Sequence, residues 1–227
     1  MTLILFIPHS HGYVLVSDRQ DTFPETGAKT EVTKLYIQSN AGPAVGCSGS
    51  TSVIQNLYSK MSDKWGNLSG KACDRIKSLY MEILEEAANV RRLTGSYIEA
   101  DLEMLVIEAN KGKIEPFYMF KTFERRINST HIFVVPQNFP ELQHYLGDPI
   151  LLSAEEDAIR LGESILRQMV FSNYTIGPPE YHGYDVVKIS ETGEFSCSKV
   201  EPKIKREDLK LLLEHLHLRT EAKEETK

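Results

Sequence analysis

The chain has 227 residues, with 26 Lys and Arg against 32 Asp and Glu, for a formal net charge of -6. Hydrophobic residues at 41% and charged residues at 26% suit a globular protein that buries one core, and the acidic balance excludes a binder that draws its affinity from clustered Lys and Arg on nucleic-acid phosphates. Cys47, Cys73 and Cys197 are too few and too far apart for a disulfide framework or a zinc knuckle, which suits a reducing compartment.

The first residues, Met1 to Ile7, are apolar but lack the basic flank of a signal peptide and run into Pro8-His9-Ser10-His11-Gly12. No segment approaches the roughly 20 apolar residues that span a bilayer. A cytoplasmic protein without a membrane partner is expected, in which the Asn-x-Thr triplets at Asn128 and Asn173 stay unmodified.

Two apolar runs, Thr2–Pro8 and Tyr13–Asp18, around His-Ser-His-Gly predict a hairpin. The polar stretch Arg19 to Thr33 reads as a loop. A second hairpin follows, Lys34–Ser39 and Pro43–Cys47 about the turn Asn40-Ala41-Gly42. Ile54, Leu57, Tyr58, Met61 and Trp65 then recur at helical spacing, as do Ile76, Leu79, Tyr80, Ile83, Leu84, Ala87 and Val90.

Strands resume with Leu102–Glu108 and Ile114–Lys121 about Asn110-Lys111-Gly112, and His131–Pro136 predicts another. Ser153-Ala154-Glu155-Glu156 matches a capping box that opens a helix from about Ala154 to Ser172, with Ala158, Leu161, Ile165 and Met169 on its apolar face. A hairpin of Tyr184–Ser190 and Glu194–Val200 and a helix over Lys205–Leu218 complete the order, and Arg219–Lys227 reads as a frayed charged tail. Strands in hairpins, then helices, then strands again predict an α+β fold of antiparallel sheets with helices outside, in one domain over 1–218.

The amino end carries the chemistry. Methionine is removed when the next side chain is small, so the mature chain is expected to begin at Thr2. A terminal threonine supplies both a nucleophilic hydroxyl and, in its own α-amine with a pKa of roughly 7.7–8.0, a base to take the proton. Such a site also needs a cation near the hydroxyl, a carboxylate to orient that cation, and a backbone N–H for the oxyanion. Lys34, Asp18 and Gly49 are the candidates.

On these residues the chain resembles the proteasome β-subunit and its bacterial relative HslV, of the amino-terminal-nucleophile hydrolase superfamily. Sixteen positions separate Thr2 from Asp18 and sixteen separate Asp18 from Lys34, matching the family's even spacing. Ser17-Asp18-Arg19-Gln20-Asp21-Thr22 is similar to the family's Ala-Asp-x-Arg-x-Thr, with Gln20 where the family has Arg. Cys47-Ser48-Gly49 is similar to its Ala-Gly segment before the first helix. The resemblance implies a four-layer αββα sandwich, Thr2 as nucleophile, Asp18 and Lys34 as its partners, Gly49 as oxyanion donor, and Thr22 with Gly49 as backbone contacts of an extended peptide.

Two departures stand against full activity. The family's Gly-Ser-Gly is replaced by Pro136-Gln137-Asn138, and its Asp-x-x-Ser-Gly-Gly by a segment with Asn173 and Ile176 in place of Asp and Ser. The resemblance therefore implies three functions: a threonine peptidase acting on peptide or unfolded protein, a transpeptidase using the same acyl-enzyme, or an inactive assembly subunit. A homo-oligomeric ring and an ATPase are the implied partners, and no cofactor or metal is called for. His9, His11, His215 and His217 are expected to be surface histidines and Cys47 a small buried hydrophobe.

Overall fold

The computed structural model describes residues 3–22, 29–95, 101–110, 112–121, 123–137, 152–171 and 183–200. β1 (Ile4–His9) and β2 (Gly12–Asp18) form the predicted first hairpin, with Ile4 opposite Ser17 and His9 opposite Gly12. β1 is apolar on nearly every residue because both of its faces are covered. Leu5 and Ile7 point to one side and Ile4 and Phe6 to the other, following the two-residue period of a strand.

The stretch expected as a loop after Asp18 contains a short ribbon, β3 (Gln20–Thr22) against β4 (Lys29–Glu31). Its six residues are all polar, so no apolar alternation marks it. β5 (Leu35–Ile37) and β6 (Ala44–Gly49) form the second hairpin; β5 is shorter than expected, and β6 runs two residues further, to Gly49.

The two helical patterns become α1 (Thr51–Lys64) and α2 (Ala72–Thr94), linked by a single 3-10 turn at Trp65–Asn67. Ser50 stands at the α1 N-cap with extended backbone. α2 stops at Gly95, whose φ of 74° is the left-handed conformation that lets its N–H return to the Arg91 carbonyl at 2.9 Å.

β7 (Leu102–Asn110) and β8 (Lys113–Phe120) pair as expected, and β8 continues into an edge strand that the sequence pattern did not mark, β9 (Phe123–Arg126). All four β9 side chains are exposed, so their burial period is invisible. β10 (Phe133–Val135) lies within the predicted His131–Pro136 run. α3 (Glu155–Phe171) begins at the expected place, but the Ser153 hydroxyl donates to Asp157 at 3.2 Å, one residue beyond the capping-box partner. The Met169 side chain lies outside the described set. β11 (Tyr184–Ser190) and β12 (Phe195–Val200) form the last hairpin. The predicted helix over Lys205–Leu218 and the tail lie outside the described residues.

These elements build two antiparallel five-stranded sheets, ordered β10-β1-β2-β11-β12 and β5-β6-β7-β8-β9. Ile4, Phe6, Leu15, Leu105, Ile107 and Val187 interleave between them. α1 and α2 cover the outer face of the second sheet through Leu57, Met61, Ile76 and Leu79, and α3 covers the first through Ala158, Ile165 and Leu166. This is the expected αββα order of layers. α3 lies tight against β2 at Gly162, where an added Cβ would stand 2.7 Å from a Val16 methyl. Among the described residues no helix is long and apolar enough to cross a membrane.

Candidate functional site

Asp18 ends β2 with its side chain fully buried, and each of its carboxylate oxygens has a partner. Oδ1 accepts a 2.7 Å hydrogen bond from the Leu3 N–H, and Oδ2 accepts one from the Lys34 ammonium at 2.5 Å. Lys34 is only 2% exposed, a burial that an ammonium tolerates when an opposite charge meets it directly. Asp18 ends β2 of the first sheet, Leu3 immediately precedes β1, and Lys34 immediately precedes β5 of the second, so the Asp18–Lys34 pair links the two sheets.

The Lys34 backbone is held as closely as its side chain. Its carbonyl accepts hydrogen bonds from the Tyr58 hydroxyl at 2.6 Å and from the Cys47 N–H at 3.1 Å. Tyr58 comes from α1 and stacks on Tyr36 of β5, ring centroids 5.0 Å apart. The Cys47 thiol behind them is fully buried, and desolvation pushes its pKa up to about 12, so it is a packed hydrophobe and not a reactive thiol.

Gly49 ends β6 opposite Leu102, one residue before the α1 N-cap. Its φ is 141°, and a Cβ there would stand 2.5 Å from the Asp101 carbonyl oxygen, so the position admits glycine alone. Thr22 ends β3 opposite Lys29. Thr2, Asn173 and Ile176 lie outside the described residues.

A second charged group adjoins the pair. Arg19, 3% exposed, has its Nε 3.7 Å from Asp185 Oδ1, and its guanidinium meets Glu31, which also receives Lys199 at 3.3 Å. Asp185 lies on β11 between Ser17 of β2 and Lys199 of β12 and is 1% exposed. Burial raises its carboxyl pKa above the ordinary value, with the Arg19 charge opposing. Neither carboxylate oxygen has a hydrogen-bond partner among the described residues. Asp185, Arg19 and Tyr58 escaped sequence reasoning as site neighbours; the signal for Asp185 was a carboxylate between Tyr184 and Val186-Val187 in a buried stretch of β11.

Gln137, which the sequence resemblance sets in the place of a serine, is tied into the structure by three contacts. Its carbonyl accepts from Arg125 at 2.7 Å, its N–H donates to Glu103 at 3.1 Å, and its amide nitrogen meets the Val134 carbonyl. His9 is buried, not on the surface as expected: its Nδ1 accepts from the His11 N–H at 3.3 Å, and desolvation lowers its pKa. Among the described residues no three His, Cys, Asp or Glu side chains converge as a metal site. An open cleft of about 470 Å³, lined by residues such as Pro43, Trp65, Lys71 and Arg75, lies at the end of β6 and β7 opposite Gly49, away from the Asp18–Lys34 pair.

Two antiparallel sheets between helical layers form a proteasome-like fold, in which the Asp18–Lys34 pair is buried. No protein-family model matches the chain, and no curated protein matches it. Among solved structures it is similar to the Anbu complex of Pseudomonas aeruginosa, described as a helical assembly, with a TM-score of 0.70 and 12% identity over 99% of this chain and 96% of that one. Anbu of Yersinia bercovieri, described as an ancestral beta-subunit, gives a TM-score of 0.69 and 11% identity over 97% and 95%. The Gly-1 mutant of Anbu from Hyphomicrobium sp. strain MC1 gives 0.67 and 11% over 99% and 100%.

These neighbours correct the family expectation. The residue spacing pointed to the proteasome β-subunit and HslV, whereas the three structures named above are Anbu proteins, proteasome-like but a distinct family. The reason is geometric. The β1–β2 hairpin sets the distance from Thr2 to Asp18, and the β3–β4 segment sets that from Asp18 to Lys34. Spacing along the chain thus reports the lengths of these two hairpins, which belong to the path of the backbone and not to a family's chemistry.

Proposed function

We propose that this chain is an Anbu-like proteasomal subunit with a threonine nucleophile at its mature amino end. The observation that carries the reading is the shared Asp18 carboxylate, which holds the Lys34 ammonium on one oxygen and the Leu3 amide, the peptide link to Thr2, on the other. Removal of Met1 frees the Thr2 amine. The Thr2 hydroxyl oxygen attacks a peptide carbonyl carbon and passes its proton to that amine, while Lys34, oriented by Asp18, favours the alkoxide-like oxygen. The Gly49 N–H stabilises the oxyanion. Collapse breaks the C–N bond, the leaving amine takes the proton, and an ester to Thr2 remains. The substrate lies extended between the Thr22 and Gly49 segments, as an added strand.

Water resolves the ester in a peptidase and a second amine in a transpeptidase. A labelled peptide incubated with an excess of a second peptide separates them: hydrolysis gives a shortened acid, transfer gives a spliced product. The mass of the purified native chain tests the step on which both depend. Loss of Met1 supports the reading, and its retention overturns it.

An inactive assembly subunit is the second reading. It is favoured by Gln137, whose contacts are structural where the family carries a serine, and by the helical assembly described for the Pseudomonas aeruginosa neighbour. Light scattering on the eluting protein reports assembly, and peptide libraries that stay uncleaved by an assembled species favour this reading.

A further inference from the structure

We infer that Tyr58 is a positioning residue for Lys34, setting the ammonium's place through the lysine's own backbone; this rests on the reading of Lys34 as part of the reacting site. A lysine side chain has four rotatable carbons, so its nitrogen goes where its Cα and its anion allow. Asp18 supplies the anion at 2.5 Å, and the Cα is fixed by two bonds to the Lys34 carbonyl, of which the Tyr58 hydroxyl makes the shorter, 2.6 Å against 3.1 Å from the Cys47 N–H.

Those two donors come from different elements. Cys47 lies within β6, two residues before Gly49, and Tyr58 lies on α1, the helix that opens just after Gly49. Tyr58 thereby links the helix at the oxyanion side to the residue carrying the cation. Its hydroxyl also lies 3.3 Å from the Val45 carbonyl, and its ring is held by the stack on Tyr36, with planes 19° apart. Burial and the neighbouring Cys47 raise the phenol pKa well above its ordinary value, so the hydroxyl remains a donor across the working pH range. A tyrosine read from the sequence as one member of a helical apolar face therefore has a polar task that packing alone does not require.

The substitution Tyr58→Phe removes the donor and keeps the ring. Tyr36→Phe is its control, because the Tyr36 hydroxyl donates to Gln38 at 3.3 Å and not to the Lys34 carbonyl. Two readouts apply to the full-length protein: peptide turnover, and water exchange of the Lys34 ammonium protons by nitrogen-15 NMR, with the signal assigned by Lys34→Arg. Tyr58→Phe is expected to lower kcat about tenfold with KM unchanged and to speed ammonium exchange about tenfold, the scale of one buried hydrogen bond. Tyr36→Phe is expected to leave both as in the wild type. Unchanged exchange in Tyr58→Phe overturns the inference, and so does an equal acceleration in Tyr36→Phe, which assigns the effect to ring packing. A wild type that turns over no peptide overturns the catalytic reading, and the exchange rates then decide the role of Tyr58 by themselves.

Discussion

The Lys34 ammonium lies 2.5 Å from Asp18 Oδ2, with both side chains closed off from water and contributed by different sheets. Two charges in that setting depend on each other. Their mutual attraction offsets the cost of taking each from water, and neither has that compensation once the other is removed.

Asp18→Asn is therefore expected to destabilise the fold by about 3–5 kcal/mol, because it leaves the lysine buried without its anion. Replacing both, as in Asp18→Asn with Lys34→Met, is expected to cost less than the two single changes added together. Denaturant unfolding of the four proteins checks this as a double-mutant cycle. Additive costs would mean that the pair contributes no coupling.

Gly49→Ala tests the backbone at the candidate oxyanion donor. The residue combines a φ of 141° with only 2.5 Å between a built Cβ and the Asp101 carbonyl oxygen. The expected cost is about 1–3 kcal/mol, from strain that must be relieved by moving the β6–α1 junction. Thermal unfolding reads the loss of stability, and turnover is expected to fall further than stability accounts for at a temperature where the variant remains folded.

Asp185 makes stability depend on pH in the direction opposite to a carboxylate whose pKa folding lowers, because here burial outweighs the Arg19 charge. Its folded-state pKa is raised by burial. Between its unfolded value, about 3.9, and the raised folded value the native state therefore binds more protons than the unfolded state, and the stability slope with pH is negative. Its contribution is fully present below the unfolded pKa and is lost as pH rises through the folded one. Asp185→Asn is expected to flatten that decline in unfolding free energies measured from acid to neutral pH; a decline of unchanged steepness would assign it to other groups.

How far the sequence reaches follows from what it encodes locally. α1 and α2 announce themselves because their apolar residues recur near every 3.6 positions, and β1, β2, β7 and β8 because short apolar runs flank turn residues. The β3–β4 ribbon and β9 do not, since Gln20-Asp21-Thr22 and Phe123-Glu124-Arg125-Arg126 offer no alternation of apolar and polar residues to read. Asp18 and Lys34 were legible as partners through their spacing, and they do meet. Tyr58 was not, because its bond to the Lys34 carbonyl spans 24 residues and a helical apolar face gives no hint of where a hydroxyl points. Asp185 becomes a neighbour of Arg19 only when β11 pairs with β2. The likeness to Anbu structures was not legible either, because at 11–12% identity it lies in the path of the backbone and not in the residues.

The account stands or falls on whether the Thr2 hydroxyl is a nucleophile. The most direct measurement is the intact mass of the protein after incubation with a peptide epoxyketone, which requires both a hydroxyl and an adjacent free amine to form its ring. The expected result is a chain lacking Met1 that carries one inhibitor equivalent, with no adduct on Thr2→Ala. A chain that keeps Met1, or an adduct that persists in Thr2→Ala, contradicts it.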